Sequence, residues 1–359
     1  MMKKIFLSFL SVILILSSVA CGKTSQNQDV TKAPSQTVGE VNTDAQTQEQ
    51  TQEASYYPVT ITDHAGREVV IEAQPEKLVS GYYISTSVLI ALGLDDKLVG
   101  IEAKADKRAI YKLSAPELID LPSVGTAKEF DLEGCAALEP DLVILPLKLK
   151  NAAESLEELG IDVILVNPES RELLDEAVDM IAKANNCEDM AKELADFTAD
   201  KSAFLAKELE GSGMPKVYLA GNSSMLSTAG KGMYQHDMIT LAGGENVAGD
   251  VEDTYWATID YEQLLTWNPE YIILASDADY TCEDVLNDVN LSECKAVKEG
   301  KVYQLPSVAE AWDSPVPSGI LGSVWLASIL HPDVVDTETC NEIIEEYYEE
   351  FYGFTYPQE

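Results

Sequence analysis

Two stretches of this chain repeat one pattern of residues. The first begins at Phe130-Asp131 and the second at Ile259-Asp260, and they align without a gap. Each contains Asp, any residue, Glu, an apolar helical face, Pro, an acidic residue and an apolar strand. A duplicated helix-to-strand unit predicts two similar lobes, and the cleft between two lobes is a common place for a small ligand to bind.

The first twenty residues have the pattern of an export signal. A basic start, Met1-Met2-Lys3-Lys4, leads into an apolar run that ends at Ser18-Val19-Ala20, directly before Cys21. The run is too short for a membrane-spanning helix. Small residues before Cys21 resemble a bacterial lipobox, so Cys21 is predicted to carry the lipid of a membrane-anchored lipoprotein. An ordinary signal peptide cleaved nearby is the alternative.

Residues 21–55 are predicted to form a disordered linker behind that anchor. From residue 23 onward they are rich in Thr, Gln, Ser, Asn and Glu and contain no aromatic residue. Such a segment cannot bury enough apolar surface to offset its conformational entropy. It would act as a flexible tether between the membrane and the folded body.

The charge of the chain excludes one class of partner. Its 62 acidic residues against 24 Lys and Arg leave a formal net charge of −38. Phosphate backbones and anionic lipid surfaces would repel such a chain, so nucleic-acid binding is not expected. The charge suits solubility and a basic partner surface.

Alternating strands and helices predict the fold class. Short apolar strands followed by helices recur in both halves, which is typical of parallel β-α-β units covered on both faces. We expect an N-terminal α/β lobe over residues 56–168, a connecting helix over 169–212, and a C-terminal α/β lobe with terminal helices over 213–359. Residues 171–210 contain no Pro or Gly. As one helix, or two end to end, they would span about 60 Å and limit closure of the lobes.

The cysteines predict neither a zinc site nor a disulfide framework. Besides Cys21 there are five, an odd number, and their spacing matches no zinc motif. The pattern favours isolated thiols. Cys282 and Cys294 are the one pair near enough in sequence to suggest a disulfide.

At this point the sequence resembles the substrate-binding proteins of ABC importers for iron–siderophores, haem and cobalamin. The resemblance rests on four stretches in this order, together reaching from about Val59 to Pro332. They are Thr62 to Val69, Ala91-Leu92-Gly93, the duplicated Glu-to-Pro pattern, and Leu241 to Ala248. The resemblance implies two α/β lobes joined by a single helical backbone. It also implies a partner, an ABC permease dimer with its ATPase subunits.

Two glutamates of the repeat are predicted to dock the permease. The resemblance implies that Glu133 and Glu262 lie at the tips of the two lobes and pair with permease arginines. Two carboxylates on a rigid body would fix orientation and speed association. Alternatively, each is only an exposed residue in the first turn of a helix, where a negative charge is favourable.

Ligand-binding side chains are expected in loops at the carboxyl ends of the strands. Aromatic walls suit a large, flat, partly apolar ligand, and Lys148 is the candidate for contacting an anionic group. The predicted ligand residues are Tyr82, Tyr83, Thr126, Lys148, Asn222, Tyr255, Trp256 and Trp312.

Catalysis and direct metal ligation are not expected. Gly221-Asn222-Ser223-Ser224 lacks the second glycine of a nucleophile elbow. With three histidines in the chain, a cage for bare zinc or manganese is not expected either. His236 could be an axial ligand to haem iron or cobalt, but a solvated residue at a helix start is the favoured interpretation. No resident cofactor is predicted.

The prediction is therefore a monomeric, extracytoplasmic lipoprotein that binds an iron complex (a siderophore complex or haem) or a corrinoid between its lobes. It would deliver this cargo to an importer at the outer face of the cytoplasmic membrane. A molybdate- or tungstate-type oxoanion is the alternative cargo. An exported enzyme that modifies a metal chelate is a further, weaker alternative, since no nucleophile–base pair or metal cluster is evident.

Overall fold

Two four-stranded parallel sheets, one in each half of the chain, form the framework of the protein. The computed structural model describes residues 55–251 and 256–357. The strands order as β4-β3-β5-β6 in the first sheet and β12-β11-β7-β9 in the second. Central strands such as Leu142–Pro146 are buried along their whole length. This burial explains why they contain continuous apolar runs rather than alternating residues.

The first half contains six strands and four helices. An antiparallel hairpin, β1–β2, precedes the first sheet, and helices separate the parallel strands. The elements are β1 Val59–Thr62, β2 Glu68–Ile71, β3 Leu78–Ser80, α1 Tyr83–Ala91, β4 Leu98–Gly100, α2 Ala109–Ser114, α3 Leu132–Ala137, β5 Leu142–Pro146, α4 Lys150–Glu158 and β6 Asp162–Val166.

The second half follows the same plan after two connecting helices, α5 Arg171–Asn185 and α6 Glu188–Glu208. Two more helices close the chain. The elements are β7 Lys216–Ala220, β8 Ser227–Thr228, α7 Tyr234–Leu241, β9 Glu245–Asn246, β10 Ala257–Thr258, α8 Tyr261–Trp267, β11 Tyr271–Leu274, α9 Cys282–Leu286, α10 Lys295–Glu299, β12 Val302–Gln304, α11 Ile320–Leu330 and α12 Thr337–Tyr352.

The repeated sequence forms a repeated structure. Asp131 caps α3 by accepting a hydrogen bond from the Gly134 backbone N–H at 2.9 Å, and Asp260 caps α8 through Gln263 at 2.8 Å. Such caps satisfy backbone donors that the first helical turn leaves free. Both helices are followed, directly before the proline, by a left-handed residue, with φ 51° in the first copy and 46° in the second.

The acidic residue after the proline also makes equivalent hydrogen bonds in both copies. Asp141 accepts a hydrogen bond from the backbone N–H of Lys77 at 2.9 Å, and its own N–H donates to the Lys77 carbonyl at 2.9 Å. Glu270 holds Lys216 in the same way, at 3.2 and 2.8 Å. Each residue therefore ties β5 or β11 to the start of the neighbouring strand, β3 or β7.

The connection between the halves is helical, but it is not the 60 Å rod that the sequence suggested. It breaks at Asn186, whose φ of 55° is left-handed. Leu174 and Val178 of α5 line the same groove as Leu194 and Thr198 of α6, so the two helices fold back against each other. The longer helix, α6, has 21 residues and spans about 32 Å.

One continuous hydrophobic core extends through both halves. It contains Val88 of α1, Phe197 of α6 and Tyr348 of α12. α12 packs against α11 in the second half and against α1 in the first. Two smaller apolar clusters pack against the sheets, one cluster in each half. Because close-packed interiors resist deformation, this shared core opposes large movements of one lobe relative to the other.

The five cysteines of the described residues are free thiols, including Cys282 and Cys294, so the suggested disulfide is not formed. In residues 55–251 and 256–357 no helix has the length and apolar character needed to cross a lipid bilayer. The predicted signal, Cys21 and most of the linker lie outside the described residues.

Candidate functional site

A cavity of about 190 Å³ lies where the two halves meet. The first half contributes Tyr82 and Tyr83, which follow β3, and the second contributes Asn222 after β7, together with Trp256 and Ser314. We call this cavity the aromatic compartment. Its position at the carboxyl ends of parallel strands is where the fold class places ligands.

The two tyrosines form an aromatic corner at the start of α1. Their ring centroids are 5.3 Å apart with an interplanar angle of 78°, an edge-to-face arrangement that aromatic pairs prefer. Burial raises the pKa of both phenols, so both are neutral at physiological pH. They can therefore offer a flat apolar face together with hydroxyl groups that donate or accept hydrogen bonds.

Trp256 is an exposed aromatic residue of the second half. It is 38% exposed, and its ring lies directly over Gly221. A Cβ at residue 221 would come within 2.9 Å of that ring, so a residue without a side chain is required there. Next to it, Asn222 is exposed, and its carbonyl accepts a hydrogen bond from Asp279 at 2.8 Å.

A second cavity, of about 90 Å³, lies on the other side of Tyr83 and is called the side compartment. Tyr83 and Ser314 line both cavities, and the Tyr83 hydroxyl donates to Ser314 Oγ at 3.4 Å, which separates the two spaces. The guanidinium of Arg108 lies 4.1 Å above the Tyr83 ring, within the range of a cation–π contact. Lys107 lies beside it at the rim.

A buried carboxyl group, Glu310, forms part of the wall of the side compartment. It accepts hydrogen bonds from Ser87 Oγ of the first half and Ser318 Oγ of the second, both at 2.5 Å. Burial raises its pKa, while these hydrogen bonds and the nearby charge of Arg108 oppose the rise. The group thus joins the two halves, and its surroundings favour the neutral form.

The structure brings four of the eight predicted ligand residues together around the aromatic compartment: Tyr82, Tyr83, Asn222 and Trp256. Thr126 lines neither described cavity, and its hydroxyl accepts hydrogen bonds from Lys128 and Glu129 within a tight turn. Lys148 is exposed and lines neither cavity. It is close enough to Glu169, at the wall of the aromatic compartment, to oppose the burial-induced rise of that residue's pKa.

The structure places Trp312 outside both compartments, away from the other predicted ligand residues. Its side chain is 1% exposed, its Nε1–H donates to the hydroxyl of Tyr348 at 2.9 Å, and its ring stacks on Tyr356. It therefore packs inward against α12, because the indole N–H finds a buried partner there. Tyr255 lies outside the described residues.

Glu133 and Glu262 occupy equivalent positions in the first turns of α3 and α8, one in each half. Both are exposed, and in the described part of the chain neither side-chain carboxylate has a hydrogen-bond or ion-pair partner. The aspartates and the acidic residue after each proline have structural partners, as described above. The two glutamates are the charged residues of the repeated pattern that the fold does not use.

His236 lies on α7 and lines neither cavity. Its Nδ1 is 3.3 Å from the side-chain nitrogen of Asn246. Within residues 55–251 and 256–357, no group of three or more His, Cys, Asp or Glu side chains is placed to hold a metal ion.

Arg108 and the segment that carries it were not among the predicted site residues. α2 and the turn before it were not predicted, because this short helix has no long apolar period. The charge pattern of this segment could have identified it as a candidate binding region. The chain has three arginines, and Lys104, Lys107, Arg108 and Lys112 lie within nine residues of an otherwise acidic sequence.

Comparison with known proteins places the chain in a family. The model of the family described as periplasmic binding protein matches residues 78–309, more than half of the chain. The chain belongs to the periplasmic binding protein family. It is a solute-binding protein that works with an ABC transporter outside the cytoplasm, and it is not an enzyme.

Three similar proteins illustrate the family. The molybdate-binding protein MolA of Haemophilus influenzae is 25% identical over 325 residues, covering 83% of this chain and 89% of that protein. A vitamin B12-binding protein of Salmonella choleraesuis is 31% identical over 170 residues, 47% of this chain and 64% of that protein. The crystal structure of a periplasmic solute binding protein from Veillonella parvula has a TM-score of 0.72 and 26% identity, covering 84% and 94% of the two chains.

Proposed function

We propose that this protein captures a metal chelate between its lobes and delivers it to an ABC permease. The cargo is an iron complex, with a siderophore or as haem, or a corrinoid. The observation that carries the proposal is the aromatic compartment, where the Tyr82–Tyr83 corner and Trp256 come from opposite halves. Such a site offers flat apolar faces with a few polar groups, as sites for large organic ligands do.

The aromatic lining of the cleft supports a large, flat cargo. Tyr82 and Tyr83 reach the cleft from the first half and Trp256 from the second, so a flat ligand would contact aromatic faces from both halves. A bare oxoanion would contact few of these faces. The likeness to a vitamin B12-binding protein agrees with a chelate, although it extends over 47% of this chain.

A molybdate-type oxoanion is the second candidate. It is favoured by the likeness to MolA, which covers 83% of this chain. An oxoanion would need hydrogen-bond donors and positive charge rather than aromatic faces. The two candidates therefore predict different contact residues, and one titration distinguishes them.

Delivery is assigned to Glu133 and Glu262. The rest of the repeated pattern is explained by helix caps and strand ties, whereas these two carboxylates face solvent and have no partner among residues 55–251 and 256–357. One charge on each lobe, held on a rigid body, would orient the protein on a permease dimer with basic pockets. We further propose that Cys21 carries a lipid, which would keep the protein beside that permease.

The test is a fluorescence titration of the purified chain with haem, ferric siderophores, cobalamin and molybdate. We expect saturable quenching by one chelate, and loss of most of this quenching in Trp256→Phe. Trp325→Phe is the control, because Trp325 lies on α11 and lines neither compartment. A response to molybdate alone would replace the chelate by the oxoanion, and no response to any of the four would refute this choice of cargo.

A further inference from the structure

We propose that the side compartment binds an oxyanion group, a phosphate or a carboxylate, through the guanidinium of Arg108. This inference deepens the proposed function and rests on it, because it assigns an anionic component to what the cleft holds. The oxyanion is either an arm of the chelate or a free anion bound beside it. Both sources present the same chemistry to Arg108.

Arg108 differs from the other two arginines of the chain. Arg67 binds Asp63 and Glu157 at 2.6 and 2.7 Å, and Arg171 donates to the hydroxyl of Tyr234 at 2.8 Å. Among the described residues, no carboxylate lies within 4.0 Å of the Arg108 guanidinium, and its N–H groups donate no hydrogen bond. In a chain with 62 acidic residues, a half-buried arginine without such a partner leaves its donors available to a ligand.

The geometry of Arg108 suits a planar or tetrahedral oxyanion. Its guanidinium carbon lies 4.1 Å from the centroid of the Tyr83 ring, and this cation–π contact holds the group at the compartment without using its N–H donors. A guanidinium edge can donate two parallel hydrogen bonds to a carboxylate or phosphate. Ser307 and Ser314 line the same compartment and supply hydroxyl donors.

The carboxyl groups near Arg108 do not act as its counter-ions. Glu310 already accepts from Ser87 and Ser318, and Glu102 accepts from Tyr111 Oη at 2.6 Å and Thr86 Oγ1 at 2.7 Å. Burial raises the pKa of both carboxyl groups, which favours their neutral forms. Asp277 is exposed at the rim, where water and salt screen its charge.

The side compartment is separate from the aromatic compartment. The contact between Tyr83 of the first half and Ser314 of the second half lies between the two compartments. An apolar chelate body can therefore occupy one space while an oxyanion occupies the other. Tyr83 lines both compartments, and the Arg108 guanidinium lies over its ring.

The first experiment measures phosphate and citrate binding to the purified chain by calorimetry at constant ionic strength. We expect saturable binding, weakened about ten- to a hundredfold in Arg108→Gln, because a charge-assisted hydrogen-bond pair is lost. Arg108→Lys, which keeps the charge but lacks the fork, should be intermediate. Lys112→Gln removes the same charge from α2 outside the compartment and should change affinity less than about twofold.

The second experiment identifies the source of the oxyanion. The chelate that quenches Trp256 is titrated with and without saturating phosphate. Competition, together with weaker chelate binding by Arg108→Gln, assigns the compartment to an arm of the chelate. Unchanged chelate affinity, with Arg108-dependent phosphate binding, assigns it to a free anion. If Arg108→Gln leaves the affinities for phosphate, citrate and chelate unchanged, the inference is wrong, while Trp256-dependent quenching would still support the proposed function.

Discussion

Thr86 and Ser87 are adjacent on α1, yet their hydroxyls reach two different buried carboxyl groups. Thr86 Oγ1 donates to Glu102, which follows β4 in the first half, and Ser87 Oγ donates to Glu310 in the second. Buried carboxyl groups are tolerated when their oxygens are hydrogen-bonded. The hydrogen bond from Ser87 to Glu310 therefore places a titratable group between the two halves, in the wall of the side compartment.

The buried Glu310 makes stability depend on pH. Its folded-state pKa is raised by burial, so above the unfolded pKa of about 4.5 the unfolded state loses its proton more easily than the folded state. Its contribution to stability therefore decreases as pH rises, until the folded pKa is passed. Glu310→Gln cannot ionise, so its stability relative to wild type should increase as pH rises above about 4.5.

Urea unfolding at several pH values measures this difference. Glu342→Gln, at an exposed position of α12, is the matched control and should show no such trend. Parallel pH profiles for Glu310→Gln and wild type would contradict the assignment. The groups facing Glu310 are Ser87, Ser318, Tyr352 and the more distant charge of Arg108, and none is altered by the substitution.

At the level of elements, the duplicated unit separates structural from functional acids. Asp131 and Glu133 lie two residues apart at the start of α3, but only Asp131 accepts a backbone hydrogen bond. The same is true of Asp260 and Glu262 at α8. Substitutions at these four positions can therefore distinguish a cap from a docking group.

Removal of the cap should cost stability, whereas removal of the glutamate should not. We expect Asp131→Ala and Asp260→Ala each to lower the free energy of unfolding by about 1 kcal/mol, the usual value of an N-cap. Glu133→Ala and Glu262→Ala should change it by less than about 0.5 kcal/mol, as exposed substitutions generally do. Urea denaturation of the four variants gives the comparison, and equal losses at all four positions would argue against separate roles.

Removal of the glutamates should instead impair delivery. In cells that depend on this protein for uptake, Glu133→Ala or Glu262→Ala should reduce import of the bound chelate about tenfold, equivalent to ~1.4 kcal/mol of docking free energy. Chelate affinity, measured by Trp256 quenching, should remain that of wild type. Normal uptake by the double variant would show that the permease recognises another surface.

At the level of the whole molecule, the contacts between the halves predict a small response to ligand. The shared core includes Val88, Phe197 and Tyr348, and α12 packs on both halves. The sequence predicted limited closure from one long helix, or two end to end, between the lobes. The folded-back pair α5–α6 and the crossing helix α12 now supply a different physical reason for it.

Solution scattering of the chain with and without saturating chelate measures that response. We expect the radius of gyration to remain constant within experimental error, because closing the cleft would disrupt the packed core between the halves. A decrease of several ångström on ligand addition would show a hinge that the shared core does not prevent. Buffer-matched titration with a chelate that does not quench Trp256 is the control.

Local patterns in the sequence were sufficient for the framework. The Asp131 and Asp260 caps, the prolines after each helix and the apolar strands depend on neighbours within a few residues, so the repeat and the two parallel sheets could be predicted. The same is true of Tyr82 and Tyr83, because residues after a parallel strand reach the ligand edge whatever their partners are.

Side chains that meet across the molecule were decided by tertiary packing. Tyr83 and Ser314 are 231 positions apart, and their contact divides the cleft. Trp312 turns inward because Tyr348, 36 positions later, accepts its N–H. Arg108 lies directly before α2, a helix too short to show a helical period in the sequence. The sequence alone thus determined the two lobes and their repeated helix–strand unit. Long-range contacts decided which residues line the site, because the burial and hydrogen bonding of a side chain depend on partners that local patterns do not specify.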